Sequence, residues 1–155
     1  MDMQQLGAQL RTVSHFHALS DANLSEIVNA GNVLKIQSGQ MLFLQDEPCA
    51  GMYVLLQGRV NLCKLGPQGQ QNILATILPV IMFNEVPVLD GGRNPVTALA
   101  TQDSLLWRIS CASFQKLLLS YPEIGSGLLQ IMATRNRRLI EHYEDLSFRN
   151  VLARV

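Results

Sequence analysis

The spacing of apolar residues changes period twice along this chain, and the changes mark out its elements. Leu24, Ile27 and Val28 follow helical spacing near the start. Ser20 stands where it can cap that helix, Asp21 falls in its first turn, and Leu19 with Leu24 can form a hydrophobic staple. Gly31 is the expected stop. From Val33 onward the pattern shortens to apolar segments of strand length: Val33 to Ile36, Met41 to Leu44, Met52 to Leu56, Val60 to Leu65, Ile73 to Leu78, Val96 to Ala100 and Leu105 to Ile109. Turn-forming groups separate them, namely Ser38-Gly39, Asp46-Glu47-Pro48, Gly58, Gly66-Pro67-Gln68-Gly69 and Asp90-Gly91-Gly92. Leu105, Trp107 and Ile109 alternate with Leu106 and Arg108, which places the two sets on opposite faces of a strand. About seven or eight short strands at this spacing predict a sandwich or barrel-like roll, with Gly66 to Gly69 as a hairpin tip.

Helical spacing returns after Ser110. Phe114, Leu117 and Leu118 make an amphipathic face, and Tyr121-Pro122 closes that helix and opens a longer one from about Glu123 to Leu146. Along the long helix, Leu129, Met132, Asn136, Leu139, Tyr143 and Leu146 recur at alternating steps of three and four. That is the seam of a two-stranded coiled coil, and a polar Asn136 within it would fix register in a homodimer. A single helix packed on its own roll gives a similar stripe.

Composition narrows the function classes. The 155 residues are 48% hydrophobic and 15% charged, which describes one globular domain able to bury a core. Formal net charge is +0, so the chain lacks the clustered basic excess of a nucleic-acid surface. The run Arg135-Asn136-Arg137-Arg138 is followed by Glu141, Glu144 and Asp145 and reads as a solvated helical face. Cys49, Cys63 and Cys111 have no metal-like spacing and are expected to be buried free thiols in a reducing compartment. The N-terminus lacks the pattern of a signal peptide, and the longest apolar stretch, Ile73 to Phe83, is too short to span a membrane. A soluble cytoplasmic protein is expected. No nucleophile elbow, phosphate loop or His-Glu-x-x-His is present, so an enzyme is not expected.

The most informative stretch is Met82-Phe83-Asn84-Glu85 followed by Asp90-Gly91-Gly92-Arg93-Asn94-Pro95-Val96-Thr97-Ala98: a turn, a carboxylate, a glycine-rich bend and an alternating strand. Together with Gly39-x-x-Leu42-Phe43, Glu47-Pro48 and Tyr53-x-Leu55-x-x-Gly58-x-Val60, it resembles the sensor and dimerisation half of Crp/Fnr-type transcriptional regulators. The resemblance covers nearly the whole chain. It implies an α+β fold: an antiparallel, jelly-roll-like β-roll of the cyclic-nucleotide-binding type, flanked by N-terminal helices and a long C-terminal dimerisation helix. It also implies a division into a sensing roll with N-terminal helices (residues 1–120), a dimerisation helix (121–148) and a hinge opening a winged helix-turn-helix (149–155). On that reading the DNA-contacting half lies beyond Val155, and the chain looks truncated.

The resemblance implies a ligand site at Phe83, Asn84, Glu85, Arg93, Asn94, Val96, Thr97 and Leu139. A cyclic nucleotide asks such a site for backbone amides and an arginine around its phosphate, a carboxylate for the ribose and polar contacts for the base. Glu85 supplies the carboxylate. Asn84 stands in place of the preceding glycine, Pro79-Val80-Ile81 occupies the earlier turn, and Asn94 takes the position of the arginine, with Arg93 one residue early. Pro95 removes an amide donor, and Leu139-Ile140 replace the base-contacting hydroxyls. The expected effector is therefore a small molecule other than cyclic AMP.

Two further readings share the fold. The Asn94-Pro95-Val96 strand is similar to that of members responding to nitric oxide or anaerobiosis, which hold non-covalent haem between roll and long helix. His142 and Met82 are then the candidate axial ligands, with His15 and His17 further candidates; covalent attachment is excluded because Cys-x-x-Cys-His is absent. The other reading is a scaffold that dimerises and whose pocket has degenerated.

Overall fold

The computed structural model describes residues 1–17 and 19–153. Helices α1 (Met3–Arg11) and α2 (Asp21–Ala30) precede strands β1 (Asn32–Ile36), β2 (Met41–Phe43), β3 (Met52–Gln57), β4 (Val60–Leu65), β5 (Gln71–Ile77) and β6 (Ile81–Phe83). A short helix α3 (Glu85–Asp90) leads to β7 (Thr97–Ala100) and β8 (Ser104–Ile109), then to α4 (Cys111–Ser120) and α5 (Pro122–Ala153).

Both helix starts at the N-terminus have a local cause. Asp2 and Gln5 form a reciprocal capping box on α1, with Asp2 Oδ1 accepting the Gln5 amide at 2.7 Å. Ser20 caps α2 by accepting the Asn23 amide, and Leu19 and Leu24 are both buried. Gly31 ends α2 as expected, but with extended backbone rather than the left-handed turn of a glycine cap. Its use is room: a Cβ there would lie 2.5 Å from the Arg108 carbonyl oxygen and 2.6 Å from the Trp107 ring.

Two four-stranded antiparallel sheets form the roll, ordered β1-β8-β3-β6 and β2-β7-β4-β5. Strand β3 is buried on both faces, which is why Met52 to Leu56 reads as a continuous apolar run. Tyr53 and Leu55 point between the sheets with Phe43, Phe83 and Leu106; Met52, Val54 and Leu56 meet the helical layer with Trp107 and Ile109. The alternation expected for β8 is thus observed. Phe16 meets the Trp107 ring edge-on at 6.3 Å, tying the N-terminal segment to the sheet.

Two expectations are corrected, and one strand is added to those expected: β6 follows the Ile73 to Leu78 segment and pairs with β3 through Tyr53↔Phe83, Val54↔Met82 and Leu55↔Ile81. Residues 85–90, expected as turn and bend, are helix α3, and Pro87 is tolerated because it lies in the first turn, where its missing amide has no intrahelical partner. Finally, Cys49 and Cys111 are not free thiols: they form a disulfide joining the loop before β3 to the first residue of α4, while Cys63 is free and buried. Spacing in sequence could not reveal that pair, since it is the β3–β8 pairing, Met52↔Ile109, that brings the two segments together.

Helix α5 starts at Pro122, a favoured first helical position, and runs unbroken to Ala153, through most of the segment expected as hinge. Residues 154 and 155 of that segment lie outside the described residues.

Candidate functional site

Strand β6 ends at Phe83, and Asn84 then takes a left-handed conformation (φ 66°, ψ 32°), turning the chain sharply into α3. The turn sets Glu85 in the first turn of α3, facing inward with only 5% of its surface exposed. A cavity of about 330 Å³ lies beneath it. Its walls are Phe43, Leu62, Ala75, Ile77, Ile81, Met82, Phe83, Val86, Pro95 and Val96, and its polar groups are Asn84, Glu85 and Arg135.

Arg135 reaches this site from α5. Ile124 and Leu128 are buried against the domain, and eleven residues after Ile124, three turns on, Arg135 lies on the same helix face. Its Nη1 donates to Glu85 Oε1, an ion pair between a half-exposed guanidinium and a buried carboxylate. Arg135 is therefore not simply part of a solvated basic run, as the sequence suggested. Its alignment with the buried stripe of α5 is the signal that could have marked it.

His15 approaches the same pair from the N-terminal segment. Burial holds its pKa below the usual histidine value, Glu85 opposes that effect and Arg135 adds to it. Its Nδ1 is buried without a hydrogen-bond partner. His17 is exposed.

The other expected ligand residues are spent on holding the loop. Asn94 is 1% exposed; its Nδ2 donates to the Leu44 carbonyl at 3.0 Å and the Pro48 carbonyl at 3.3 Å. Its Oδ1 accepts from the Ala50 amide at 3.1 Å and from Asn84 Nδ2 at 3.3 Å. Arg93 donates to the Asp46 carbonyl at 2.8 Å, on the outside. Thr97 accepts the Gln45 amide at 3.0 Å through its hydroxyl. Of the expected set, Phe83, Asn84, Glu85 and Val96 line the cavity, whereas Arg93, Asn94, Thr97 and Leu139 do not. Sequence reasoning missed Arg135 and the walls from β4 and β5, including Leu62 and its register partner Ala75.

The haem donors do not converge. Met82 is buried and lines the cavity, but His142 is exposed and stands about 10 Å farther along α5 than Arg135, at 1.5 Å per residue. The residues present do not fit a haem held by that pair.

The coiled-coil stripe stays uncovered in the single chain. Leu129 and Tyr143 are each 72% exposed and Leu139 is 68% exposed; Asn136 is exposed as well. At 3.6 residues per turn, that stripe is centred about 70° around α5 from the face bearing Ile124, Leu128 and Arg135. One face of α5 thus seats on the roll while an adjacent apolar face is free. No described helix is long and apolar enough to cross a membrane.

Comparison with known proteins agrees with this architecture. Residues 33–121 match the model of the cyclic nucleotide-binding domain. The chain is 31% identical over 117 residues to the CRP-like cAMP-activated global transcriptional regulator of Mycobacterium tuberculosis, covering 76% of this chain and 52% of that protein. It therefore spans about half the length of that relative. It is 25% identical over 140 residues to the cyclic AMP receptor protein of Thermus thermophilus, covering 90% of this chain and 65% of that one. Among solved structures, the sensor domain of the transcriptional regulator DNR from Pseudomonas aeruginosa superposes with a TM-score of 0.80 at 26% identity, covering 90% of this chain and 93% of that one.

Proposed function

The chain belongs to the cyclic nucleotide-binding domain family, in the form found in Crp/Fnr-type regulators, and we propose that it is a homodimeric effector sensor whose ligand is not cyclic AMP. The observation that carries this reading is the Glu85–Arg135 ion pair, which joins the cassette to the helix bearing the free apolar stripe. A ligand entering the cavity disturbs one end of that link. Because α5 is a single stiff element, a change in how Arg135 is held alters how the stripe meets its mate.

Cyclic AMP is disfavoured on charge. A cyclic phosphate needs a free cation, and the lining cation, Arg135, is already paired. Asn94, which stands where the family's arginine is expected, is buried in the loop's own hydrogen bonds. DNA reading is assigned to a separate domain, consistent with a formal net charge of +0.

Calorimetry with cyclic AMP and cyclic GMP tests the ligand half of this reading: no tight binding is expected, and submicromolar affinity for either would overturn it. Sedimentation tests the other half. A dimer weakened by Leu139→Asp is expected, and a monomer at high concentration would remove dimerisation from the mechanism.

A further inference from the structure

The polar atoms around the cavity are already partly committed, and what they leave open specifies a ligand. The Asn84 amide is oriented by its two donor bonds, from Nδ2 to the Gly51 carbonyl at 2.8 Å and to Asn94 Oδ1. Flipping it would set an oxygen against those two acceptors, so Oδ1 is the end left over. That oxygen has no partner, but it is itself closed to any water-sized contact, so Asn84 shapes the cavity without offering it an acceptor. Glu85 gives Oε1 to Arg135, and its Oε2 makes no hydrogen bond among the described residues. That one open oxygen accepts and cannot donate. A ligand donor to a carboxylate oxygen makes a charge-assisted hydrogen bond, stronger than a neutral one.

Charge sets the second condition. Arg135 is the one lysine or arginine among the lining residues and Glu85 the one carboxylate, so the site is balanced before a ligand enters. An anion would set two negative groups against one guanidinium, beside a carboxylate already withdrawn from water. An ammonium would sit next to Arg135 and lose its hydration against apolar walls. Those walls, with Leu62, Ile77, Ile81, Val86 and Val96, set the third condition, an apolar body.

We propose that the cavity takes an uncharged, largely apolar molecule carrying a hydroxyl or amide N–H donor, received by Glu85 Oε2. This rests on the sensor reading above and names the ligand class of the same site. Ligand entry brings a donor to Glu85 beside its bond to Arg135, weakening the hold of the cassette on α5.

Three probes that share a phenyl body separate the terms: 2-phenylethanol has the donor, ethylbenzene has none, and phenylacetate is an anion. Each is titrated into the whole chain at neutral pH while backbone amide resonances of residues 84–86 are followed by NMR. The expected order of affinity is 2-phenylethanol first, with ethylbenzene and phenylacetate each about tenfold weaker or worse, a tenfold ratio corresponding to roughly 1.4 kcal/mol. Ala75→Phe, which fills the cavity from the exposed strand β5, should abolish the shifts while the remaining spectrum stays folded. Phenylacetate binding tightest, ethylbenzene matching the alcohol, or no cassette shift with any probe would each overturn the proposal. The sensor reading fails on a different measurement: if Arg135→Gln leaves dimer affinity unchanged, the link to the seam is absent whichever probe wins.

Discussion

Asn84 Nδ2 donates to Asn94 Oδ1 across 3.3 Å, joining the turn that opens the cassette to the loop that leads into β7. Asn94 also holds Leu44, Pro48 and Ala50, so one buried side chain fixes three backbone groups of the preceding loop. Asn94→Ala is expected to destabilise the chain by about 3 kcal/mol, since several buried groups lose partners together. Asn94→Arg, which restores the family's arginine, is expected to be worse and to gain no cyclic AMP affinity. Urea unfolding and calorimetry check both; a stable arginine variant that binds cyclic AMP would show the loop to be a dormant phosphate site.

That knot also explains what the sequence made legible. The roll could be read because β8 alternates and β3 is an unbroken apolar run, each with both faces finding a core, and α2 and α4 because serine caps begin them. The Phe83-x-Glu85 core was legible as a family mark. The roles of Asn94 and Arg93 were not, because a side chain spent on a distant carbonyl leaves no local pattern; the Arg93 partner is Asp46. Arg135 was hidden for the opposite reason. Its neighbours Arg137 and Arg138 are exposed, and only helical phase separates it from them.

Asn84→Gly tests whether the asparagine is strained or useful. Glycine relieves the left-handed backbone and removes the orphan Oδ1, but it forfeits the bonds to Gly51 and Asn94. The opposing terms are of similar size, so stability should change by less than about 1 kcal/mol. Asn84→Leu has no such offset and should be clearly less stable. Thermal unfolding of the pair decides, and equal losses would mean that the conformation costs little.

His15 predicts an acid-sensitive stability. Its folded pKa is lowered, chiefly by burial, so below the ordinary value of 6.5 the unfolded chain takes up a proton that the folded chain resists. The contribution is complete above about pH 6.5 and is lost as pH falls through the lowered folded value. His15→Gln should flatten the stability profile in that window. An unchanged slope would mean that the imidazole titrates freely.

The Cys49–Cys111 disulfide closes a loop with a sequence separation of 62 and clamps the segment that supplies the Ala50 and Gly51 backbone groups to Asn94 and Asn84. Loop-closure entropy predicts a loss of about 4 kcal/mol on reduction. Denaturant unfolding with and without a phosphine reductant measures it. A Cys49→Ser/Cys111→Ser variant should behave as the reduced protein does, and indifference to reductant in the parent chain would show that the bond contributes nothing.

The ion pair that carries the proposed mechanism should respond asymmetrically to removal of its two halves. Arg135→Gln leaves Glu85 buried without its counter-ion, whereas Glu85→Gln leaves Arg135 half in water, where it is readily solvated. The arginine substitution should therefore cost more, about 1–2 kcal/mol against a fraction of that for the glutamine exchange. The double variant should cost less than the sum, because it strands neither charge. If the pair also sets the seat of α5, Arg135→Gln will shift the monomer–dimer equilibrium although Arg135 lies about 70° around the helix from the centre of the apolar stripe. Measuring unfolding and sedimentation on the same three variants separates the two roles: additive stability losses would mean the pair is not coupled, and a coupled pair with unmoved dimer affinity would confine it to holding the fold.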